Sequence, residues 1–389
     1  MRDGWRSVTL GEILKLRSER THSVSTLLSV TADRGVIRQS DSGRRDSSSV
    51  DKSLYWDVRS GDVVYNTMRM WQGVSGVASE GGIVSPAYTV CEPAEGVDSR
   101  YIGWLLKEPK QVARFLRRSQ GLVSDTWNLK YSEFKMITVE LPPLSEQRKV
   151  AEILDELDLQ IHTVKASAEK ESASLRAAIT ARLSDSRHPR QILRSLLKGR
   201  PKNGFSPIEA DGWTGYLALG LGCLTPAGFV PRQLKPVAPE LAAGHHATLS
   251  EGDVLVSRAN TRELVGLAGV YRDVGVPCIY PDLMMRLTPR AGVPSEFLEL
   301  ALGLPESRRR IQALSQGTSE SMVKITASVI ENLEVPFPEA EARDELLEMR
   351  REVQLRSKVH ADTVDKLGKQ KRALSDDLLT GRTRVFAPK

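Results

Sequence analysis

The sequence predicts an α+β protein, with two mixed α/β heads in tandem repeat, separated by two long antiparallel coiled-coil helices. Three observations carry this expectation. Residues 144 to 183 pass without Gly or Pro, and their apolar positions step by three and four through Val150, Leu154, Leu157, Ile161, Val164 and Ala168, resuming after a slip at Leu175 and Ala178. A second seam near the C-terminus runs through Ala342, Leu346, Met349 and Val353, then Val364, Leu367, Leu374 and Leu378, interrupted only by Gly368. The third observation is internal repetition. GDVVYNTMR from Gly61 matches GDVLVSRAN from Gly252, and Ser119-Gln120-Gly121 recurs as Ser315-Gln316-Gly317. ITVELP ending at Pro142 matches LEVPFP ending at Pro338, and AITARLSD from Ala178 resembles ALSDDLLT from Ala373. DGW at Asp3 to Trp5 also recurs, at Asp211 to Trp213, so the repeating unit reads as head plus helix.

A chain of 389 residues exceeds what one hydrophobic core supports. The expected division is a first head at 1–143, a central spacer helix at 144–187, a second head at 188–338, a C-terminal spacer helix at 339–381 and a basic tail at 382–389. At about 1.5 Å per residue each helix would be ~60 Å long. Within the heads, Asp62 to Asn66, Ile83 to Val90, Asp253 to Ser257 and Leu264 to Tyr271 read as strands, being rich in Val, Ile and Tyr and bounded by Gly, Pro or Ser. Arg100 to Arg118 and Ser295 to Leu314 read as helical, kinked or divided at Pro109 and Pro305. Asp185 to Arg190 reads as a linker, followed by a short helix from Gln191 to Lys198. Pro142 and Pro143 stop a strand, with Ser145 as a helix N-cap that lacks Glu at the box position, where Arg148 stands.

Net charge is +6, distributed as +3 over 1–143, −1 over 144–187, +2 over 188–338, −1 over 339–381 and +3 over the last eight residues. Each head is mildly basic, which permits nucleic-acid binding without demonstrating it. No run of eighteen apolar residues is present to cross a bilayer. The N-terminal segment lacks an apolar signal core, and Cys91, Cys223 and Cys278 stand singly, which fits a reducing cytoplasm.

Catalytic patterns are not found. There is no Gly-rich cofactor loop with an Asn-Pro-Pro-aromatic tetrapeptide, no phosphate-binding Gly-x4-Gly-Lys loop, and no zinc spacing among six histidines. His245 and His246 read as surface or structural residues, and Asp62 and Asp253, each after a Gly, read as turns into strands rather than magnesium ligands. The expectation is a chain without catalytic residues, metal or cofactor.

LPPLSEQRKVAEILDELD from Leu141 resembles the junction between recognition domain and spacer helix in the specificity subunits of type I DNA restriction-modification systems. GDVVYNTMRMWQGVSGVASEGGIVSPAYTV from Gly61 resembles one class of that family's recognition domains. PKNGFSP from Pro201 with GDVLVSRANTRELVG from Gly252 resembles another. The resemblance implies two target-recognition domains at opposite ends of an antiparallel helical pair, each reading half of a split, asymmetric double-stranded DNA sequence. It implies a non-catalytic, cytoplasmic subunit that assembles with two adenine-N6 methyltransferase subunits and with motor-nuclease subunits. S-adenosylmethionine, ATP and Mg then belong to partners only. The second junction, VPFPEAEARDELLEM from Val335, lacks the Pro-Pro-Leu-Ser-Glu-Gln form and leaves Glu341 and Arg343 only loosely comparable to Glu146 and Arg148.

The candidate DNA-binding residues follow from type and place. Asn66, Arg69 and Gln72 come after a predicted strand and suit base-edge hydrogen bonding in the major groove; a loop Arg paired with an acidic neighbour is the plainer reading. Arg258, Asn260 and Arg262 occupy the corresponding place in the second head. Lys130 and Lys324, eight or nine residues past the Gln-Gly repeat, suit phosphate contact or simple solvation. Lys202 and Asn203 resemble the family's start of the second head, where Gly204 makes a turn. Of the six tryptophans, Trp5, Trp56, Trp71, Trp104, Trp127 and Trp213, most are expected in cores rather than against bases. The alternative to a DNA reader is a non-enzymatic coiled-coil scaffold whose heads bind proteins; an enzyme with an unrecognised nuclease site is a third reading, separable by metal-dependent activity of this chain alone.

Overall fold

The computed structural model describes residues 4–20, 26–43, 46, 48, 49, 51–121, 127–317 and 322–385. Asp3 of the first DGW and residues 386–389 of the expected basic tail lie outside the described residues. The chain divides into two compact units, one of Met1–Ser167 with His360–Lys389 and one of Ala168–Val359. The central helix, Leu144–Leu183, and the C-terminal helix, Ala340–Leu379, each contribute a part to both units. A unit is therefore a head with a half of each long helix, whereas the sequence suggested separate spacers. Gly368 does not break its helix, since one Gly costs only about 1 kcal/mol relative to Ala.

The first unit is built on strands β1 (Leu14–Arg17), β2 (Val63–Asn66), β3 (Ser75–Val77) and β4 (Tyr88–Pro93), antiparallel in the order β1-β4-β2-β3. Helices α1 (Ser99–Leu105) and α2 (Pro109–Arg118) cover one face. The second unit repeats this with β5 (Lys202–Asn203), β6 (Val254–Ser257), β7 (Ala268–Val270) and β8 (Met284–Leu287), in the order β5-β8-β6-β7. Its helices are α3 (Ser295–Gly303) and α4 (Pro305–Ala313). Pro109 and Pro305 each open the second helix of their pair, where a missing N–H costs nothing, so the proline divides the patch.

Both sheets are buried on two faces, which is why their central strands read as unbroken apolar runs. Val63 and Tyr65 of β2 join the core formed with Tyr101, Phe115, Val150, Leu154 and Leu378, while Val64 faces a smaller cluster with Leu28 and Val58. In the second unit Val254 and Val256 meet Phe297, Ile311, Ile179, Leu183, Leu346 and Val353, and Leu255 faces the opposite cluster with Leu219 and Ile279. The outer lobes differ. Two antiparallel pairs, Leu28–Thr31 with Gly35–Arg38 and Trp56–Val58 with Gly82–Val84, serve the first unit. A three-stranded sheet of Leu217–Leu219, Leu234–Pro236 and Cys278–Ile279 serves the second.

Several expectations are corrected by packing. Arg6–Thr9 pairs with Thr138–Leu141 as Arg190–Ile192 pairs with Glu334–Pro336, and Leu10 N–H donates to the Ile137 carbonyl as Leu193 does to Leu333, both at 2.8 Å. This register sets Trp5 against His188, so the DGW match is accidental: Trp5 is buried and Trp213 is 70% exposed. Only Trp5 of the six tryptophans is fully buried. The expected strand 83–90 breaks at Ser85-Pro86-Ala87, because Pro cannot donate to the ladder. Of 264–271 only Ala268–Val270 is strand, since Gly266 turns at φ +76°. Residues 190–192 are strand, and the helix there is just Leu193–Leu196. In the central helix Ala178 is exposed and Ile179 is buried, so the seam steps by four from Leu175; Ser172 lies in it and hydrogen-bonds Ser357 at 3.2 Å. Leu374 is partly exposed, and Lys371 packs inward instead, paired with Asp158.

Candidate nucleic-acid interface

The loop after β2 is fixed by its own backbone. Asn66 Oδ1 accepts from Met68 N–H at 3.0 Å, Arg69 N–H donates to the Asn66 carbonyl at 3.1 Å, and Gln72 N–H donates to the Arg69 carbonyl at 2.9 Å. Asn66 is thus a turn-former, the local use to which Asn side chains are suited. Gly73, at φ +78°, closes the turn. Arg69 and Gln72 are exposed, and neither side chain has a hydrogen bond or ion pair among the described residues. Leu129 N–H donates to the Thr67 carbonyl at 2.8 Å, and Gln120 and Asn128 exchange backbone hydrogen bonds, which brings exposed Lys130 beside the same loop. Trp71 and Trp127 meet there edge to face, 5.3 Å between centroids, both half-buried. Neither ring is in a core, where the sequence led most tryptophans to be expected, and Trp71 lies two residues from Arg69.

In the second head Arg258 N–H donates to the Leu283 carbonyl at 2.8 Å, as Thr67 does to Ala87 at 3.0 Å; the Arg258 carbonyl accepts from Ile325, as Thr67 accepts from Leu129. Arg258 therefore stands where Thr67 stands, and Asn260 where Arg69 stands. Gln316 pairs with Lys324 as Gln120 pairs with Asn128, so the counterpart of Lys324 is Asn128, and that of Lys130 is Thr326. The two lysines are not equivalent. Ala259–Asn260 pairs with Val323–Lys324, gathering Arg258, Asn260 and Lys324 on one short ladder. Arg258 is half-buried with Nη1 on the Asp282 carbonyl at 3.3 Å, and Lys324 is exposed.

Two candidates have structural employment. Asn260 Oδ1 accepts from Thr261 N–H at 2.9 Å and its Nδ2 donates to Ser257 at 3.4 Å. Arg262 Nη1 donates to the Gln312 carbonyl at 3.4 Å and Ser315 Oγ at 3.3 Å, holding the end of α4. Lys202 and Asn203 are exposed on edge strand β5, opposite Arg286 and Met285. Gly204 is needed for close approach rather than a turn: a Cβ there would strike the Tyr280 and Pro281 carbonyls.

The aspartates that open β2 and β6 are turn residues with cationic partners. Asp62 is bound by Arg17 through Nε at 2.8 Å and Nη2 at 3.1 Å, both side chains almost fully buried. Asp253 accepts from Ser250 N–H at 2.9 Å and pairs with Arg286 at 3.1 Å. Among the described residues no three His, Cys, Asp or Glu side chains cluster to hold a metal. His245 stacks on Phe205 and His246 bonds the Asn203 carbonyl, so both are structural.

Within the junction motif Glu146 and Gln147 are buried, whereas Pro143, Ser145 and Arg148 are exposed. The helix starts at Leu144, with the Pro143 carbonyl accepting from Glu146 and Gln147 N–H, so Ser145 is inside it rather than capping it. Gln147 Oε1 accepts from Asp98 N–H at 2.9 Å, and its Nε2 donates to the Pro142 carbonyl at 2.8 Å and the Gly96 carbonyl at 3.3 Å. Glu146 accepts from Trp5 Nε1 at 3.2 Å and from Arg384 at 2.9 Å twice. In the second unit Arg343 donates to the Pro338 and Gly292 carbonyls, both at 3.4 Å. Arg343 is the counterpart of Gln147, and Ala342 that of Glu146, one position from the comparison the sequence suggested.

A four-stranded sheet, two helices and a long-helix segment, occurring twice in one chain, define the class: tandem mixed α/β heads carried on two long helices. Residues 2–170 match the family model described as the type I restriction modification DNA specificity domain. The specificity subunit of the Escherichia coli K12 restriction enzyme EcoKI is 24% identical over 257 residues, 61% of this chain and 54% of that subunit, so the match spans about half the length of the relative. The MjaVIII specificity subunit of Methanocaldococcus jannaschii is 19% identical over 332 residues, 78% of this chain and 75% of that one. A chain from a solved structure concerned with assembly and conformational transition of the type I R-M system superposes with a TM-score of 0.60 at 18% identity, over 97% of this chain and 98% of that one, and supports the fold. The chain is thus similar to type I restriction-modification specificity subunits, and the DNA specificity domain itself is matched over residues 2–170. No helix among the described residues is long and apolar enough to cross a membrane.

Proposed function

We propose that this chain is the DNA-reading subunit of a type I restriction-modification complex and that each head reads one half of a bipartite, asymmetric target. The observation that carries this is one frame used twice with different side chains around the same loop: Arg69 and Gln72 in the first head, and in the second Arg258 on the loop with Lys324 on the short strand paired to it. A common frame with divergent loop chemistry suits two half-sites of different sequence. Within this reading the chain catalyses nothing and works in the cytoplasm. Two adenine-N6 methyltransferase subunits supply S-adenosylmethionine chemistry, and motor-nuclease subunits supply ATP- and Mg-dependent cleavage.

Methylation-site sequencing of cells carrying point variants tests it. Arg69→Ala is expected to relax one base position in one half-site at a cost of about 1–3 kcal/mol, the other half-site being unchanged. Lys130→Ala is expected to weaken binding evenly across sequences and to lower the salt dependence by roughly one phosphate contact. Even weakening by Arg69→Ala would reassign that residue to the backbone, and an unchanged methylome in both variants would sink the reading of this loop.

A further inference from the structure

The first unit contains a cleft of about 390 Å³ between the head and its segments of long helix, with Gly35, Gly76, Gly103, Trp104, Lys107 and Asp158 among its walls. The second unit has a cleft of about 450 Å³ in the equivalent place, walled by Leu267, Ala268, Glu299, Leu300, Gly303 and Val353. The two are related residue by residue. Gly96 and Gly292, both at positive φ, precede helices that open at Ser99 and Ser295, and Pro109 and Pro305 open the next helices. Gly103 therefore matches Glu299, and Lys107 matches Gly303.

This correspondence exposes a chemical difference. In the second cleft the Glu299 carboxylate is buried and paired with Arg350, so the acid and the cation are both internal. In the first, Gly103 leaves the acid's position without a side chain. Lys107 is half-buried and its ammonium has no hydrogen bond or ion pair among the described residues. Its acidic neighbours in the cleft are already committed: Asp158 to Lys371 and His162, Asp155 to Trp104 Nε1 at 2.8 Å and Arg100 at 3.4 Å, and Asp33 to Arg34 at 3.9 Å. Lys371 also lies 4.3 Å over the Trp104 ring. Burial, and then the nearby Lys371 charge, push the Lys107 amine below its usual value, and the Asp158 and Asp33 carboxylates offset this only in part.

We propose that this cleft binds a small oxyanion, a carboxylate or phosphate group on a low-molecular-weight ligand, with Lys107 as its anchor and with the ligand's charge standing where Glu299 stands in the second unit. The volume is that of a small-molecule site, and the Trp104 ring forms part of its wall. This goes beyond reading DNA, since no residue of the Arg69 loop takes part.

Calorimetric titration of the full-length chain with succinate, and separately with inorganic phosphate, tests the proposal. Saturable one-site binding is expected. Lys107→Gln is expected to weaken it by at least about tenfold, the value of one charge-assisted hydrogen bond, with thermal unfolding unchanged. Gly103→Glu, which would give the first cleft the internal acid of the second, is expected to abolish it. A Cβ at Gly103 would lie 3.0 Å from Val77, so if that variant misfolds the lysine variant decides alone. Binding of succinate only assigns the site to carboxylates, and of phosphate only to phosphates. Absence of saturable binding by either probe, or equal binding by Lys107→Gln, overturns the proposal.

Discussion

The two units solve the same structural problems with different residues. At the head–helix junction the first unit uses a buried amide, Gln147, to reach the Gly96 and Pro142 carbonyls; the second reaches the matching carbonyls with the guanidinium of Arg343, which also stacks 4.2 Å over Phe337. At the start of the central strand both units pair an aspartate with an arginine, but Arg17 comes from β1 and Arg286 from β8. The register explains the exchange: Arg17 faces Val90 in the ladder, and the counterpart of Val90 is Arg286. The cation has moved one strand across while the ion pair persists. What is repeated is the set of backbone groups needing partners and the charge needing neutralisation, and several side chains meet those needs.

The largest effect separating the units is expected at these ion pairs. Arg17 and Asp62 are each 3% exposed, whereas Arg286 and Asp253 are 20% and 21% exposed. Asp62→Ala removes the bidentate partner of a buried guanidinium, leaving it only the exposed Glu19 and Glu92 carboxylates at 3.4 Å, and is expected to cost about 3 kcal/mol, lost from the first unit. Asp253→Ala, in a wetter site, is expected to cost about 1–2 kcal/mol, lost from the second. Amide hydrogen exchange resolved along the chain measures both; equal losses, or losses spread over both units, would show that burial does not govern the difference.

The junction gives an intermediate effect. Gln147→Ala orphans the Asp98 N–H and two carbonyls in a buried site and is expected to cost about 2–3 kcal/mol. Arg343→Gln is expected to be nearly neutral, because an amide already does the matching task in the first unit. Denaturant unfolding of both variants checks this, and a severe loss in Arg343→Gln would mean that the Phe337 contact matters more than the carbonyls.

The smallest effect is a pH dependence confined to the second unit. Burial pushes the Glu299 carboxyl above its usual range, and the Arg350 charge pulls it back only in part. The native state then holds that proton more tightly than the unfolded chain, so the second unit is favoured at pH values below the ordinary carboxylate range. It loses stability as pH rises from there through the raised value. Glu299→Gln is expected to flatten this slope for exchange in residues 168–359 without altering it elsewhere, and an unchanged slope would remove Glu299 as its source.

Periodicity and repetition made much of the fold legible. The central helix begins at Leu144, directly after Pro143, and ends at Leu183, short of Pro189, and GDVVYNTMR and GDVLVSRAN fall on equivalent strands. Local signals were weaker where a short match competed with register, as in DGW, or where a polar residue could serve either a base or the chain itself. Asn66 and Asn260 bond their own loops, and Arg262 caps a helix end. Arg69 and Gln72 remain outward because the turn they form is closed by backbone groups with the Asn66 amide, without use of their own side chains.

By itself the sequence determined the element types, the two long helices, the tandem organisation and the family resemblance, because these depend on the spacing of apolar residues and on breakers that act within a few positions. Only the tertiary structure decided which residues correspond between the two heads, that Gln147 is matched by Arg343, and that Lys107 stands without the acid its counterpart cleft contains. Such relations join residues up to more than fifty positions apart through ladder register and shared carbonyls, and no local pattern along the chain records which carbonyl a side chain will reach.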